Sequence, residues 1–195
     1  MDLEQYAGMS VYAGIQDIMD VAHFSDAEDG TLMDALGEVL CRYGVADILG
    51  IALLHTHFPL NDDEILVEGI YPDHVISQPF QLQAIAAHVT PMTWRLVDDS
   101  KPVPLHWRVD ADPHVERVQT FLRSSAVQEL RSLLGNNVER FGLIRISAFE
   151  QELNNLSLLE ESDTENRILL SKPSTQRENA VQTAWYFSPT IQMAG

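Results

Sequence analysis

Cysteine and positive charge are both scarce in this sequence. The single cysteine, Cys41, cannot form a disulfide within the chain, and 12 lysines and arginines face 29 aspartates and glutamates, for a net charge of −17. That charge repels a phosphate backbone and an anionic bilayer surface, and no basic stretch interrupts it. The sequence therefore predicts that neither nucleic acid nor a membrane is a partner.

Long apolar runs are also missing, and so is a basic N-terminal region. No segment approaches the roughly 20 apolar residues that a membrane-spanning helix needs. Residues 1–5 lack the positive charge that begins a signal peptide. We therefore expect a soluble, cytoplasmic protein. With 195 residues, 45% of them hydrophobic, the chain is expected to form a single domain over residues 1–195.

The common motifs of cofactor chemistry are absent as well. The chain has no GxxxxGK[ST] phosphate loop, no GxGxxG, no CxxC, no HExxH and no GxSxG. Its acidic clusters, residues 160–165 among them, lack the spacing of a calcium loop and are interpreted as solvated turns. On this basis no cofactor is predicted.

What the sequence does contain is one long apolar segment, residues 47–58, which ends in a His-x-His pair. Side chains alternate between the two faces of a strand, so apolar residues on both faces predict an interior strand that is buried on both sides. His55 and His57 are expected to project from the end of this strand on the same side.

Apolar residues at helical spacing predict three helices. They are expected at residues 10–24, at 32–43 between Thr31 and the terminating Gly44, and at 112–134. The third begins at Asp112 and is expected to break near Ser125.

Period-two alternation predicts the strands, and turn residues predict the connections between them. Besides 47–58, strands are expected at 64–70, 92–97, 105–109, 138–148, 156–161, 167–172 and 181–188, with 71–90 as a loop that holds at most a helical turn. Helices and strands are grouped and do not alternate along the chain. The predicted fold class is therefore α+β: an antiparallel, curved sheet of about six to eight strands with helices packed mainly on one face.

The first two predicted strands define a candidate site. Residues 59–63 form a predicted turn, so 64–70 would return as the antiparallel partner of the histidine strand. His55 then lies opposite Glu68, and a catalytic group of His55, His57 and Glu68 is predicted. The outlying candidates are Glu64, His88 and His106.

The same stretch resembles the first metal-binding motif of the cupin family. That motif has a glycine, His-x-His, a glutamate and a glycine along two strands, and this chain has Gly50, His55-Thr56-His57, Glu64 and Gly69. The resemblance implies metal ligation by the histidines and Glu64. The chain departs from the motif in two spacings, since the first gap is one residue short and Glu64 lies too far from His57.

A second resemblance concerns uncharacterised fungal proteins. The segment Leu53–Phe58 is similar to a Leu-Leu-His-x-His-Phe core in those proteins, and Ala184-Trp185-Tyr186-Phe187 is similar to their late aromatic strand. This resemblance implies a cytosolic, single-domain protein and carries no activity with it.

Three functions remain open at the level of sequence. The first is a small-molecule pocket at the His55/His57 end of the strand, with acid–base catalysis by the histidines. The second is a non-catalytic acidic module that binds a basic protein surface. The third is a metal-dependent enzyme that uses His55 and His57 as ligands. Alternatively, both histidines are packed residues that hydrogen-bond to acidic neighbours.

Overall fold

Strands outnumber helices in the part of the chain that the computed structural model describes, which is residues 8–21, 26–85, 89–96, 101–109, 113–146, 157–175 and 181–187. The strands are β1 Leu49–Leu53, β2 Glu64–Ile70, β3 Val75–Gln81, β4 Thr90–Pro91, β5 Thr93–Arg95, β6 Val103–Pro104, β7 His106–Arg108, β8 Phe141–Arg145, β9 Ser157–Asp163, β10 Ile168–Ser174 and β11 Ala184–Trp185. The helices are α1 Gly8–Val11, α2 Ile18–Val21, α3 Asp26–Arg42, α4 Leu82–Ile85, α5 Val115–Leu122 and α6 Ala126–Leu134, followed by a 3₁₀ turn at Gly135–Asn137.

The strands form two sheets. The five-stranded sheet has the order β11-β1-β8-β5-β6, and the six-stranded sheet has the order β4-β7-β2-β3-β10-β9. Every pairing is antiparallel except that of β2 with β7. The predicted α+β class with largely antiparallel strands is confirmed, and the strands are divided between two sheets.

Strand β1 occupies the interior position that its apolar residues predict. It lies between β8 and β11, and all five of its residues are buried. The strand ends at Leu53, earlier than predicted. The Leu54 amide still donates to the Arg140 carbonyl, in the register of β1 with β8, whereas the Thr56 amide donates to the Gln16 carbonyl. The chain thus leaves the sheet after Leu54, and His55 and His57 lie just beyond it.

The predicted hairpin between β1 and β2 is wrong. Strand β2 lies in the other sheet, between β7 and β3, so Glu68 is paired with Ser77 and Arg108 rather than with His55. The reason is the connecting segment. Phe58 and Leu60 are buried in a cluster with Leu66 and Leu169, so this segment is a packed crossover between two sheets and not a tight turn.

The prediction of a loop over residues 71–90 is also wrong, since strand β3 lies within it, whereas α4 is the single helical turn that the prediction allowed. Proline within a strand argues against an interior position because it lacks the amide that a neighbour needs. Pro79 avoids this conflict, since β10 pairs with β3 only over residues 75–77 and Pro79 lies beyond that contact.

The later strands occur close to where alternation predicts them. The hairpin of β9 and β10 is confirmed, while β8 and β11 are shorter than the predicted segments. Strands β5 and β7 occupy the centres of the predicted segments 92–97 and 105–109.

The helices follow the prediction in part. Helices α5 and α6 are divided next to Ser125, although Ser125 makes no side-chain capping bond. Helix α3 begins at Asp26, earlier than predicted, and ends before Gly44, whose φ of +66° suits a helix terminus. The predicted cap Asp112 lies outside the described residues.

The predicted helix over residues 10–24 is two single turns, α1 and α2. Gly14, at φ +80°, lies between them in a left-handed conformation that ends the first turn. The chain then runs alongside Thr56, where the Ile18 amide donates to the Thr56 carbonyl. Among the described residues, no helix is both long enough and apolar enough to cross a bilayer.

The largest core lies between the helices and the five-stranded sheet. Leu36 and Leu40 of α3, Leu130 of α6, Ile51 of β1 and Leu143 of β8 are almost completely buried in one cluster. This packing holds β1 rigidly, so the end from which the two histidines emerge is fixed in position.

Candidate functional site

His55 and His57 meet immediately beyond the end of β1. Their Nε2 atoms are 3.0 Å apart, and their ring centroids are 4.7 Å apart. The backbone between them is held in place because Thr56 pairs with Gln16 and Ile18. Histidines two residues apart project to the same side of an extended chain, so this arrangement is the one that the His-x-His spacing predicts.

A third group reaches the pair from the edge strand β9. The Glu160 Oε2 atom lies 3.5 Å from His55 Nε2 and 3.4 Å from His57 Nε2. Two imidazole nitrogens and one carboxylate oxygen therefore converge on one point. They are the ligand atoms of the metal-type cluster that the described residues contain.

Outer contacts orient both imidazole rings. His55 Nδ1 lies 2.8 Å from the Leu53 carbonyl oxygen, which can only accept, so Nδ1 carries the proton and donates it. His57 Nδ1 lies 2.6 Å from Ser162 Oγ, two residues after Glu160 on β9. With both Nδ1 atoms engaged, the Nε2 atoms are the ones that face the shared point.

The two rings and the carboxylate differ in exposure. The side chains of His55 and His57 are 11% and 6% exposed, whereas that of Glu160 is 32% exposed. The rings are therefore shielded, and water reaches the cluster from the side of Glu160.

The charged forms of His55 and Glu160 stabilise each other. Burial lowers the pKa of His55, but its hydrogen bond with Glu160 and the negative charge of that carboxylate outweigh burial and raise the pKa above its ordinary value. Burial raises the pKa of Glu160, but hydrogen bonds and charge from His55 and His57 outweigh it and hold the pKa well below the usual range. Glu160 is therefore an anion at neutral pH.

Glu68, the predicted third member of the site, is engaged in an ion pair. Arg108 Nε and Nη2 each lie 2.5 Å from Glu68 Oε1, and the Arg108 side chain is almost fully buried. This pair joins β2 to β7 within the six-stranded sheet. The carboxylate that accompanies the histidines is Glu160 and not Glu68.

Of the outlying candidates, His106 lies near the cluster, whereas Glu64 is engaged elsewhere. Burial and the nearby His55 lower the pKa of His106 to about 3, so its ring is neutral at neutral pH. Glu64 pairs with Arg167 and accepts a hydrogen bond from the Asn61 amide, so it does not take the ligand position that the cupin-like spacing implies. His88 lies outside the described residues.

Sequence reasoning missed Glu160 because it belongs to an acidic run that was interpreted as solvated. A signal was nevertheless present, since Glu160 and Ser162 are two residues apart on the first strand of the β9–β10 hairpin. Period-two geometry places them on one face, away from Glu161. Only the tertiary fold places that face against the histidines.

A cleft of about 450 Å³ adjoins the cluster at His57. Its other walls include the apolar or aromatic side chains of Tyr12, Ile15, Phe58 and Leu60, and the polar ones of Asp17 and Thr164. Its size lies within the range of small-molecule sites. The cluster therefore has a neighbouring space in which a ligand could lie.

The spacing of the three atoms suits a single small cation. Ligand atoms about 2.1 Å from a tetrahedral zinc ion lie about 3.4 Å from one another. The observed separations are 3.0, 3.4 and 3.5 Å. Without a cation, the same atoms can share protons through hydrogen bonds, so the arrangement can serve metal binding or proton transfer.

Comparison of this chain with protein-family models, with characterised proteins and with solved structures gives no match. The chemistry of the cluster is therefore argued from its own residues.

Proposed function

We propose that His55, His57 and Glu160 bind one divalent transition-metal ion, and that the protein is a metal-dependent enzyme acting on a small molecule. The observation that carries this proposal is the convergence of two Nε2 atoms and one carboxylate oxygen at separations of 3.0–3.5 Å. The oriented Nδ1 contacts of both rings support it, because outer partners of this kind are typical of ligating histidines.

The ligand types favour zinc among common cations. Calcium and magnesium prefer oxygen ligands throughout, whereas two imidazoles with one carboxylate form a common zinc ligand set. Geometry and ligand type select the ion more strongly than intrinsic affinity does. Zn²⁺ is therefore the ion that we assign to the site.

The number of ligands supports a catalytic role. Structural zinc sites are closed by four protein ligands, whereas catalytic sites have three and keep a fourth position for water or substrate. In the described ranges three ligands come together, and the partly exposed Glu160 side admits water. A zinc ion there would lower the pKa of a bound water to about 7 and supply a hydroxide for hydrolysis.

Metal analysis of the purified chain tests the proposal. We expect about one zinc per chain after zinc addition and removal of excess ion. The variants His55→Ala and Glu160→Gln should weaken zinc binding by more than the roughly 100-fold that loss of an outer contact costs. Affinity is measured by competition with a chromophoric chelator.

Two matched variants serve as controls. Glu161→Gln removes the same charge from the adjacent residue, which β9 places on the opposite face. His74→Ala removes a histidine that pairs with Asp73 on the surface. Both should bind zinc like the wild type. Equal zinc affinity in Glu160→Gln and Glu161→Gln would reject the site.

A second candidate function is acid–base catalysis without a metal. The observation that favours it is the hydrogen-bonded series from Ser162 through His57 to His55, with contacts of 2.6 and 3.0 Å. Such a series can relay a proton. The same metal analysis separates the two functions, since a metal-free chain that binds no added zinc would favour the relay.

A further inference from the structure

A second cleft lies where α6 begins, and basic side chains line it. Its volume is about 520 Å³, and it shares no lining residue with the cleft at His57. Lys101, Arg123 and Arg131 are among its walls, and none of its described lining residues is an aspartate or a glutamate. The whole chain has only 12 lysines and arginines against 29 acidic residues. Three cations around one cleft therefore reverse the overall charge locally.

Packing contacts fix part of this basic group. Arg131 Nε donates to the Leu96 carbonyl at 2.8 Å, which holds the guanidinium at one wall. A guanidinium carries five N–H donors, so this group can hold a backbone oxygen and an anion at the same time. Glu129, the acidic residue of α6, faces Arg42 with contacts of 3.0 and 2.6 Å. Its negative charge is thus directed to a cation outside the cleft lining.

The first turn of α6 adds backbone donors to the same cleft. Ser125, Val127 and Gln128 line it. The first amides of an α-helix have no carbonyl partner within the helix, and a serine at the N-cap usually accepts from one of them. Ser125 makes no such bond, and its Oγ lies 3.1 Å from Tyr43 Oη instead. The positive end of the helix dipole therefore acts together with the three cations.

The remaining walls are apolar. Pro102, Leu122 and Val127 lie beside the basic and polar lining residues. The volume of the cleft falls in the range of small-molecule sites and exceeds the space that a phosphate group alone would fill. The cleft therefore suits a ligand that has an anionic head and a small apolar body.

We propose that this cleft binds a phosphate monoester with a small apolar body, and that Arg123, Arg131 and Lys101 hold its phosphate group at the start of α6. A phosphate monoester carries about −1.5 to −2 charges at pH 7 and three strong acceptor oxygens, which match several cations and amides better than a carboxylate does. These contacts act at short range, so long-range repulsion by the net charge of −17 lowers the affinity without removing the site. The site goes beyond the proposed function, since it needs neither the metal nor the histidines.

Titration with three anions tests this inference. Phenyl phosphate, benzoate and inorganic phosphate are each titrated into the zinc-free full chain at constant pH and ionic strength, and ¹H–¹⁵N NMR reports the binding. We expect phenyl phosphate to bind at least about tenfold more tightly than benzoate, because it has more negative charge and a third acceptor oxygen. Inorganic phosphate should bind more weakly than phenyl phosphate because it lacks the ring. The amide signals of Val127 and Gln128 should be among those that shift.

Matched variants identify the cations responsible. Arg123→Gln should weaken phenyl phosphate binding by about tenfold or more, the cost of losing a charge-assisted hydrogen bond. Lys101→Gln should weaken it by about two- to fivefold, as an exposed ion pair does. Arg117→Gln and Lys172→Gln make the same two changes at exposed positions outside the cleft lining. Both controls should bind phenyl phosphate like the wild type, and circular dichroism monitors the folding of all four variants.

The inference is overturned if phenyl phosphate shifts no signal at the start of α6, if benzoate binds as tightly, or if Arg123→Gln and Arg117→Gln bind equally well. Equal affinities for phenyl phosphate and inorganic phosphate would support the phosphate site and overturn the assignment of an apolar body. These results do not depend on the metal centre, since the protein is free of zinc and His57 is not part of this cleft.

Discussion

The contact between His55 and His57 allows the two rings either to share a proton or to share a cation. Their Nε2 atoms are 3.0 Å apart, and Nδ1 of His55 already donates to the Leu53 carbonyl. A neutral His55 ring therefore presents a lone pair at Nε2. Either His57 supplies a proton to that lone pair, or both rings share a cation. The Glu160 carboxylate provides negative charge that stabilises either state.

Ser162 should act on the metal only through His57. Its hydroxyl lies 2.6 Å from His57 Nδ1 and fixes the ring so that Nε2 faces the cluster. We expect Ser162→Ala to weaken zinc binding by about 10- to 100-fold, the usual cost of an outer-shell change, without altering the fold. Chelator competition measures the affinity, and circular dichroism monitors folding.

The control for this variant is Ser132→Ala on α6, since the Ser132 hydroxyl donates within its own helix, to the Gln128 carbonyl. It should leave zinc affinity unchanged. Unchanged affinity in Ser162→Ala as well would mean that His57 needs no outer partner.

The ion pair of Glu64 with Arg167 should make stability depend on pH. The hydrogen bond from Arg167 lowers the pKa of Glu64 from 4.5 to about 2, despite the opposing effect of burial. A carboxylate whose pKa is lowered by folding stabilises the protein above its unfolded pKa, and the contribution is lost as the pH falls toward the folded pKa. The relevant window is therefore from pH 4.5 down to about 2.

Glu64→Gln should accordingly lower the free energy of unfolding at pH 7. The expected loss is only about 1 kcal/mol because water screens a partly solvated ion pair. The difference from wild type should shrink as the pH is lowered below 4.5. Urea denaturation at several pH values measures it. The control is Glu165→Gln, in the exposed turn between β9 and β10, which should have little effect on the free energy of unfolding. If the loss of stability in Glu64→Gln does not depend on pH, the ion pair is not its cause.

Residue-level prediction from sequence succeeded where the geometry is local. His55 and His57 are two residues apart, so the period of an extended chain was enough to bring them together. Glu160 lies more than a hundred positions away, and no local rule connects it to the pair. A tight hairpin would place Glu68 opposite His55, but the packed crossover through Phe58 and Leu60 carries Glu68 into the other sheet.

At the level of secondary-structure elements, the apolar pattern of a strand predicted its burial reliably. Strand β1, with apolar residues on both faces, is interior as predicted. The sequence does not predict β3, because prolines at positions 72 and 79 favour a loop. That β10 pairs with β3 only before Pro79 cannot be inferred from the sequence. The order of strands in a sheet depends on contacts between distant segments, which periodicity does not encode.

The candidate site joins elements from both sheets. His55 and His57 follow β1 of the five-stranded sheet, and Glu160 and Ser162 belong to β9 at one edge of the six-stranded sheet. Among the described strands β9 pairs only with β10. A cation held by all three ligands would therefore restrain the edge strand β9, which is otherwise held in the sheet through β10.

Zinc should consequently slow amide exchange in β9. A ligand at 100 times its dissociation constant stabilises the binding-competent state by about 2.7 kcal/mol. Hydrogen exchange with and without zinc should show increased protection at residues 157–163, while the amides of β1 exchange slowly in both states because that strand is interior. The zinc effect should vanish in Glu160→Gln and persist in Glu161→Gln. Uniform protection of both sheets would indicate a general stabilisation without a local restraint on β9.

For the molecule as a whole, the excess of acidic residues is the dominant electrostatic feature. Several arginines already face carboxylates, namely Arg42 with Glu129, Arg108 with Glu68, Arg117 with Asp47 and Arg167 with Glu64. Each such pair neutralises one acidic group, and the net charge of −17 remains on the others. This excess explains why a nucleic-acid partner is not expected, since it repels phosphate at long range.

The same excess should make the folded chain more stable as salt is added. Repulsion between unpaired carboxylates favours the expanded unfolded state, and its range falls from about 30 Å at 0.01 M salt to about 8 Å at 0.15 M. Ion pairs are weakened by salt as well, but each exposed pair contributes only about 0–1 kcal/mol, so the unpaired surplus dominates. We expect Tm to rise when NaCl is increased from 10 to 300 mM, by about 2–4 °C for each kcal/mol gained in the free energy of unfolding.

Sodium acetate should produce the same rise, since screening depends on ionic strength and not on the anion. A fall in Tm with both salts would mean that the arginine–carboxylate pairs outweigh the repulsion.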